Sequence, residues 1–330
     1  MKVEKMRKAR IACLTLVGVM ATTTMGLGVA SAEQPEVTDQ VLAAVGGGVI
    51  DGNIDVKSEA NSFSGEAGDG STVHIPIKGE EGIVLSSADE DLSDLALVLP
   101  DGDNVDSAEE SDLGGVRFEN SDGTSSTVLP KDDGSVQVAT VIPDSNSPRS
   151  FTYEIHGSSG GSLVLESDGS VSVLDASGEW EGGVSAPWAT DADGNSVPTS
   201  YTVDGNRLTQ HVEFSEETAF PVVADPWLGK ALIKKAVWAN GLWKYSPTLK
   251  VYPTTWGRWT GAGARWSAWK ETLDKTPRRG HPNPNTTTMK LQFYCHFDVV
   301  RYRAPNKESW NLDTKIPNRG YTGFVKNGCN

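Results

Sequence analysis

The chain has 330 residues, a formal net charge of −15 and only three cysteines. The charge is unevenly placed: residues 33–226 carry six basic and 38 acidic side chains (net −32), residues 227–330 carry 18 basic and five acidic ones (net +13). That division excludes a chain of uniform composition. The cysteines and five histidines have no metal-ligand spacing, which speaks against a zinc site. No nucleophile elbow, phosphate loop or dinucleotide fingerprint is present, and no cofactor is expected.

In chain order, residues 1–32 read as a signal peptide. Lys2, Lys5, Arg7, Lys8 and Arg10 precede the apolar run Ile11–Val29, and Ala30-Ser31-Ala32 sets cleavage between Ala32 and Glu33. The competing reading, an uncleaved anchor, is disfavoured by Thr22, Thr23 and Thr24 and by the small residues at the end of the run. No second apolar span follows, so the mature chain is expected to be secreted, without a transmembrane segment. Cleavage removes Cys13 and leaves Cys295 and Cys329, which in an oxidising compartment are expected to form a disulfide.

Residues 33–226 are expected to form an acidic, β-rich region. A helix is expected at Pro35–Val45, where Val37, Val41, Ala44 and Val45 share a face. Short apolar runs follow, at Val73–Ile77, Ile83–Ser86, Leu95–Leu99, Val136–Ile142, Phe151–Ile155, Leu163–Leu165 and Val171–Leu174. Asp-Gly dipeptides begin at 51, 69, 101, 122, 133, 168, 193 and 204. Asp-Gly suits the positive φ of tight turns, so the pattern predicts hairpins arranged as a sandwich or an elongated stack. The acidic, Gly/Ser-rich stretches 58–71 and 104–114 are expected to be mobile. Asp191-Ala192-Asp193-Gly194-Asn195 resembles the start of a calcium loop, but Thr202 stands where the bidentate glutamate belongs, and turn chemistry accounts for it. Two prolines in Phe220–Trp227 mark the boundary; this segment resembles a junction found in secreted actinobacterial proteins.

Residues 227–330 are expected to be a basic, Trp-rich, small α+β domain closed by Cys295 and Cys329. Ala262–Leu273 has helical spacing of Ala262, Trp266, Trp269 and Leu273. Met289–Tyr302 alternates, which predicts a strand with Met289, Leu291, Phe293, Cys295, Phe297 and Val299 on the core face. A last strand is expected at Tyr321–Lys326, with a structured loop over 303–319 between them. The motifs Pro253–Arg258, Trp266 and Trp269, Gln292–His296 with Arg301, Ser309–Leu312, Arg319–Tyr321 and Cys329-Asn330 follow in order. Over about residues 230–330 they resemble a domain of unknown function at the C-termini of secreted actinobacterial proteins. The resemblance implies a fold and a compartment but no reaction, and it does not extend to the N-terminal region.

Two constellations bear on function. On a strand, His296 and Asp298 would share a face with Tyr294, with Arg301 nearby, as attack on a phosphodiester by general acid–base catalysis requires. The bland reading makes them an ordinary polar face covered by the 303–319 loop. His281, in a proline-flanked loop, joins a site only through tertiary proximity. The second constellation interleaves rings and cations: Trp238, Trp243, Lys244, Trp256, Arg258, Trp259, Arg265, Trp266, Trp269 and Lys270. Of these, Arg258, Arg265, Lys270 and Trp259 are the candidate binding residues, while about two-thirds of the tryptophans are expected to be core. The sequence thus favours a non-enzymatic binding module for an anionic envelope polymer, lipid surface or extracellular partner. The alternative is a secreted, nuclease-like effector hydrolase whose basic domain is masked by the acidic region through an intramolecular contact.

Overall fold

The computed structural model describes residues 35–45, 47–88, 92–100, 105–240 and 247–330. The expected signal peptide with its Ala32–Glu33 cleavage point, the Asp101-Gly102 turn, Trp243 and Lys244 lie outside the described residues.

Turn chemistry shapes the N-terminal part. At all seven described Asp-Gly sites the glycine has positive φ, from +60° at Gly205 to +87° at Gly70, a region that costs glycine nothing. The preceding aspartate often accepts the backbone N–H two residues on, as Asp69 does from Ser71, Asp122 from Thr124, Asp133 from Ser135 and Asp168 from Ser170. These are Asx turns. Part of the acidity is therefore hairpin chemistry.

The hairpins build two antiparallel sheets. One has eight strands, from Lys57–Ser58 at one edge to Thr199–Asp204 at the other; the second has ten and runs from Ser162–Leu165 to Val105–Glu110. Their inner faces share one apolar core, Phe63, Ile75, Leu85, Leu97, Tyr153 and Leu208 of the first sheet meeting Phe118, Val128, Val138, Val173, Val184 and Leu228 of the second. This is a β-sandwich. The stretches expected to be mobile contribute strands: Ser62–Glu66 pairs with Thr72–Pro76, and Val105–Glu110 pairs with Val116–Asn120. Phe63, buried in the core, anchors the first of these despite its Gly/Ser-rich surroundings.

Helix α1 (Pro35–Val45) lies where its periodicity places it, followed by the short α2 (Gly47–Ile50). Leu42 and Val49 pack on the outer face of the ten-stranded sheet against Leu129, Ala139, Val141 and Val223. Asp39 fixes α1 by accepting from Ser111 Oγ and Asp112 N. The buried Lys131 ammonium donates to the Val49 carbonyl (2.6 Å) and Asn53 Oδ1 (2.5 Å).

The C-terminal domain is a three-stranded antiparallel sheet, in the order Ile233–Ala239, Thr248–Pro253, Trp310–Asp313, covered by helices. These are α3 (Thr255–Trp259), α4 (Arg265–Asp274), α5 (Thr287–Cys295), α6 (Arg301–Arg303) and α7 (Gly320–Lys326). A 3-10 turn, Ala262–Ala264, precedes α4, and a π-helical turn, His296–Val300, joins α5 to α6.

Two expectations are corrected here. Met289–Tyr302 is helical, not a strand. Thr286 caps α5 by accepting from the Met289 N–H, and Met289, Gln292, Phe293, His296, Phe297 and Val300 are buried at i, i+3, i+4 spacing. Two members of that stripe, Gln292 and His296, are polar, so a count of apolar residues sees an alternation instead. Tyr321–Lys326 is likewise within α7, with Phe324 buried against α5. The region 303–319 contains the strand Trp310–Asp313. The disulfide forms as expected, Cys295 to Cys329, with Cα atoms 5.3 Å apart.

The chain leaves the sandwich through Trp227–Gly229, a strand paired with both Trp180–Val184 and Val136–Ile142. The Trp227 ring meets Trp256 of α3. Asp133 Oδ2 accepts from the Trp256 N–H (2.7 Å), Asp168 Oδ2 from the Ala262 N–H (3.0 Å), and Lys270 pairs with Glu179 (2.6 Å). Two glycines permit the close approach. A Cβ on Gly229 would lie 2.6 Å from the Trp256 ring, and one on Gly261 would lie 2.6 Å from Ser170 Cβ. Gly261→Ala is therefore expected to cost about 1–3 kcal/mol by overpacking the seam. Thermal unfolding checks this: an unchanged midpoint would mean that the seam yields freely.

Candidate functional site

The exposed chemistry of the C-terminal domain gathers where α4, α5 and α7 lie side by side. Arg265 and Trp266 open α4, Lys290 and Tyr294 stand one helical turn apart on α5, Asp298 follows in the π turn and Tyr321 opens α7. The Lys290 ammonium lies 5.3 Å from the Trp266 ring centre and 5.8 Å from that of Tyr294. The Arg265 guanidinium lies 4.5 Å from the Tyr294 centre and donates to Asp298 Oδ2 at 2.8 Å. Tyr321 Oη donates to the same oxygen at 2.8 Å. Burial and the Asp298 charge push the Tyr321 phenol up to about 12, so it keeps its proton as the donor.

The result is a ladder of rings and cations, Trp266–Lys290–Tyr294–Arg265, closed by Asp298 and Tyr321. Trp266 is 49% exposed. Cations over ring faces hold each other in place while leaving an edge and a charge open to solvent. A smaller patch of the same kind occurs on the sheet, where Lys235 and Lys250 lie 4.7 and 5.3 Å from the Tyr252 ring.

The structure disperses the residues proposed for catalysis. His296 has no exposed surface. Its Nδ1 lies 2.9 Å from the Gln292 carbonyl, an acceptor, so Nδ1 carries the proton and Nε2 faces the Lys307 ammonium at 3.4 Å. Burial first, then Lys307, pushes the imidazole down to about 3, which leaves it neutral. Lys307 belongs to the 303–319 segment, which covers the ring. Two positions along a helical turn place Asp298 on the other side of the backbone, facing Arg265. Arg301 is buried, donates to the Thr260 carbonyl (2.5 Å) and packs on Phe297 and Tyr302. Of the original group, Tyr294 and Asp298 stay together and are joined by Arg265.

The four binding candidates also part company. Arg258 is half-buried and braces the chain by donating to the carbonyls of Lys307 and Glu308. Lys270 is engaged with Glu179 across the seam. Arg265 belongs to the ladder. Trp259 is 55% exposed. Of the seven described tryptophans in residues 227–330, four are buried: Trp227, Trp256, Trp269 and Trp310. Trp266, expected on the core face with Trp269, points outward instead. His281 stacks on Trp238, with ring centres 5.7 Å apart. Lys290 and Tyr321 were not among the candidate catalytic or binding residues read from the sequence; the i, i+4 pair Lys290–Tyr294 is the signal that a helical reading of α5 supplies. Among the described residues no three His, Cys, Asp or Glu side chains gather as a metal cluster, and no described helix is long and apolar enough to cross a membrane.

A family model described as a protein of unknown function (DUF2599) matches residues 233–330. Uncharacterized proteins of Mycobacterium bovis and of two Mycobacterium tuberculosis strains are each 33% identical over 121 residues, covering 32% of this chain and 77% of theirs. No solved structure matches the chain.

Proposed function

Since this chain belongs, through its C-terminal domain, to the family of proteins of unknown function called DUF2599, we propose a function from the chemistry of that domain's open face. The protein is an exported, non-enzymatic binding module, and its ligand is an anionic polysaccharide of the cell envelope. The observation that carries the reading is the ladder Trp266–Lys290–Tyr294–Arg265, which offers flat rings and cations alternately along adjacent helices. A pyranose ring stacks on the exposed Trp266 face, while its carboxylate or phosphate meets Lys290 and Arg265. The sandwich leaves this face uncovered, so the acidic part acts as a spacer rather than a mask. Salt screens its negative field within about 10 Å at 0.1 M. Export rests on the charged, then apolar, first 32 residues and accords with the disulfide. The hydrolase alternative has less support, since the one histidine it needs is buried and neutral.

The test is equilibrium binding of the chain from residue 33 to an acidic and a neutral envelope polysaccharide. Binding is expected for the acidic polymer alone and to weaken with salt. Trp266→Ala and Lys290→Ala should each weaken it about tenfold, in line with ~1–3 kcal/mol per stacked ring. Equal affinity of wild type and both variants would overturn the reading, and turnover of RNA or DNA by the wild type would favour the hydrolase.

A further inference from the structure

The sequence contains a single Asp-Pro dipeptide, Asp225-Pro226. It links the strands Val222–Ala224 and Trp227–Gly229, both of which pair with Val136–Ile142. The dipeptide therefore sits in the middle of the ten-stranded sheet, where the chain passes from the sandwich toward the C-terminal domain. Asp225 is completely buried. Gln137 Nε2 donates to its Oδ2 at 3.0 Å, while Oδ1 accepts no hydrogen bond of ordinary geometry and meets only the weaker contacts of Trp188. The main-chain carbonyl of the same residue accepts a hydrogen bond from buried Tyr201 Oη at 3.1 Å.

This arrangement is costly for a purely structural residue. A buried carboxyl oxygen so weakly partnered is destabilising, and Gln137 Oε1 has no hydrogen-bond partner. An asparagine at 225 would offer Gln137 a donor as well as an acceptor and could not ionise. A carboxyl has one capacity that the amide lacks, nucleophilic attack on the adjoining carbonyl.

We propose that the protein cleaves its own Asp225–Pro226 bond, giving a sandwich that ends at Asp225 and a basic chain that begins at Pro226. The side-chain carboxyl oxygen attacks the main-chain carbonyl carbon of its own residue, closing a five-membered cyclic anhydride. The C–N bond to Pro226 breaks, and the carboxyl proton passes to the proline nitrogen, a secondary amine. Tyr201 donates to the carbonyl oxygen as charge develops on it. Water then opens the anhydride, restoring the Asp225 side chain and leaving a new α-carboxyl group.

The surroundings suit proton transfer near neutrality. Burial pushes the Asp225 carboxyl up to about 7, against smaller opposing effects of Gln137, Trp188 and Lys131. The other titratable groups facing it are Lys131, Tyr153 and Tyr201. Burial brings Lys131 down to about 8 and holds both phenols well above their ordinary value. Cleavage does not separate the products. Trp227 and Leu228 remain paired with Gln137 and Val136, Gly229 with Gly183, and Val138 N still donates to the Pro226 carbonyl.

The experiment incubates the chain from residue 33 at 37 °C between pH 5 and 8, with mass spectrometry and denaturing and native separations at intervals. The expected result is a fragment with Pro226 at its N-terminus that parts from the sandwich under denaturing conditions and co-elutes with it natively. Asp225→Asn should abolish cleavage, and Tyr201→Phe, which keeps the ring in the core, should slow it at least tenfold. The proposal fails if no such fragment forms, if Tyr201→Phe cleaves at the wild-type rate, or if the urea-unfolded chain cleaves as fast as the folded one. The last result would reduce cleavage to the ordinary acid lability of Asp-Pro bonds. Polysaccharide binding through Trp266 and Lys290 does not enter any of these outcomes.

Discussion

Reducing the Cys295–Cys329 disulfide is expected to lower the stability of the C-terminal domain by about 4 kcal/mol, the chain-entropy value for a closed loop of this size. That loss is comparable to the whole margin of a domain of about 100 residues. The structural reason lies in α7. Its seven residues are too few to hold a helix in water, and it is retained by Phe324 in the core and by Cys329 bonded to the end of α5. Denaturant unfolding with and without reductant measures the effect. A midpoint unchanged on reduction would show that packing alone holds α7. Hydrogen exchange should localise the loss to residues 320–326 first, because those amides depend on the tether.

His296 is expected to make the domain acid-sensitive below its ordinary titration range. The folded-state pKa is about 3 against a usual value near 6.5. The unfolded chain therefore binds the proton first as pH falls. The stability contributed by the neutral ring is complete above about 6.5 and is lost progressively down to about pH 3. The upper bound is on the order of 5 kcal/mol, at about 1.4 kcal/mol per pKa unit. Carboxylates titrate over part of the same range, so the informative quantity is the difference between wild type and His296→Met, which fills a similar volume and cannot ionise. The variant should lose less stability between pH 6.5 and 4. Parallel curves would mean that the buried ring reaches solvent before it protonates.

How much of this was legible in the sequence varied with the range of the forces involved. The Asp-Gly turns were readable because positive φ is a property of one residue, and each described site has it. Helix α1 was readable because one of its faces meets the sheet and the other meets water. Helix α5 was not. It lies between α4, α7 and the strand Trp310–Asp313, so nearly every side of it meets protein and its polar members Gln292 and His296 are inside. Losing that helix lost the candidate site too: read as a strand, it puts His296 beside Asp298; as a helix, it puts Lys290 beside Tyr294. Trp266 and Trp269 show the same limit, since a three-residue spacing names a face but not what covers it.

By itself, the sequence determined the division into acidic and basic parts, the turn positions, the β-rich character of the first part and the pairing of Cys295 with Cys329. Each of these follows from local backbone preference, from composition or from the small number of cysteines. Tertiary structure alone decided which rings are exposed, that His296 is sealed under Lys307, and that Asp225 stands buried beside a carbonyl held by Tyr201. Those outcomes depend on contacts between residues far apart in sequence, 88 positions for Gln137 and Asp225 and 123 for Asp133 and Trp256. No local pattern records such contacts, because desolvation is set by whatever the fold brings alongside.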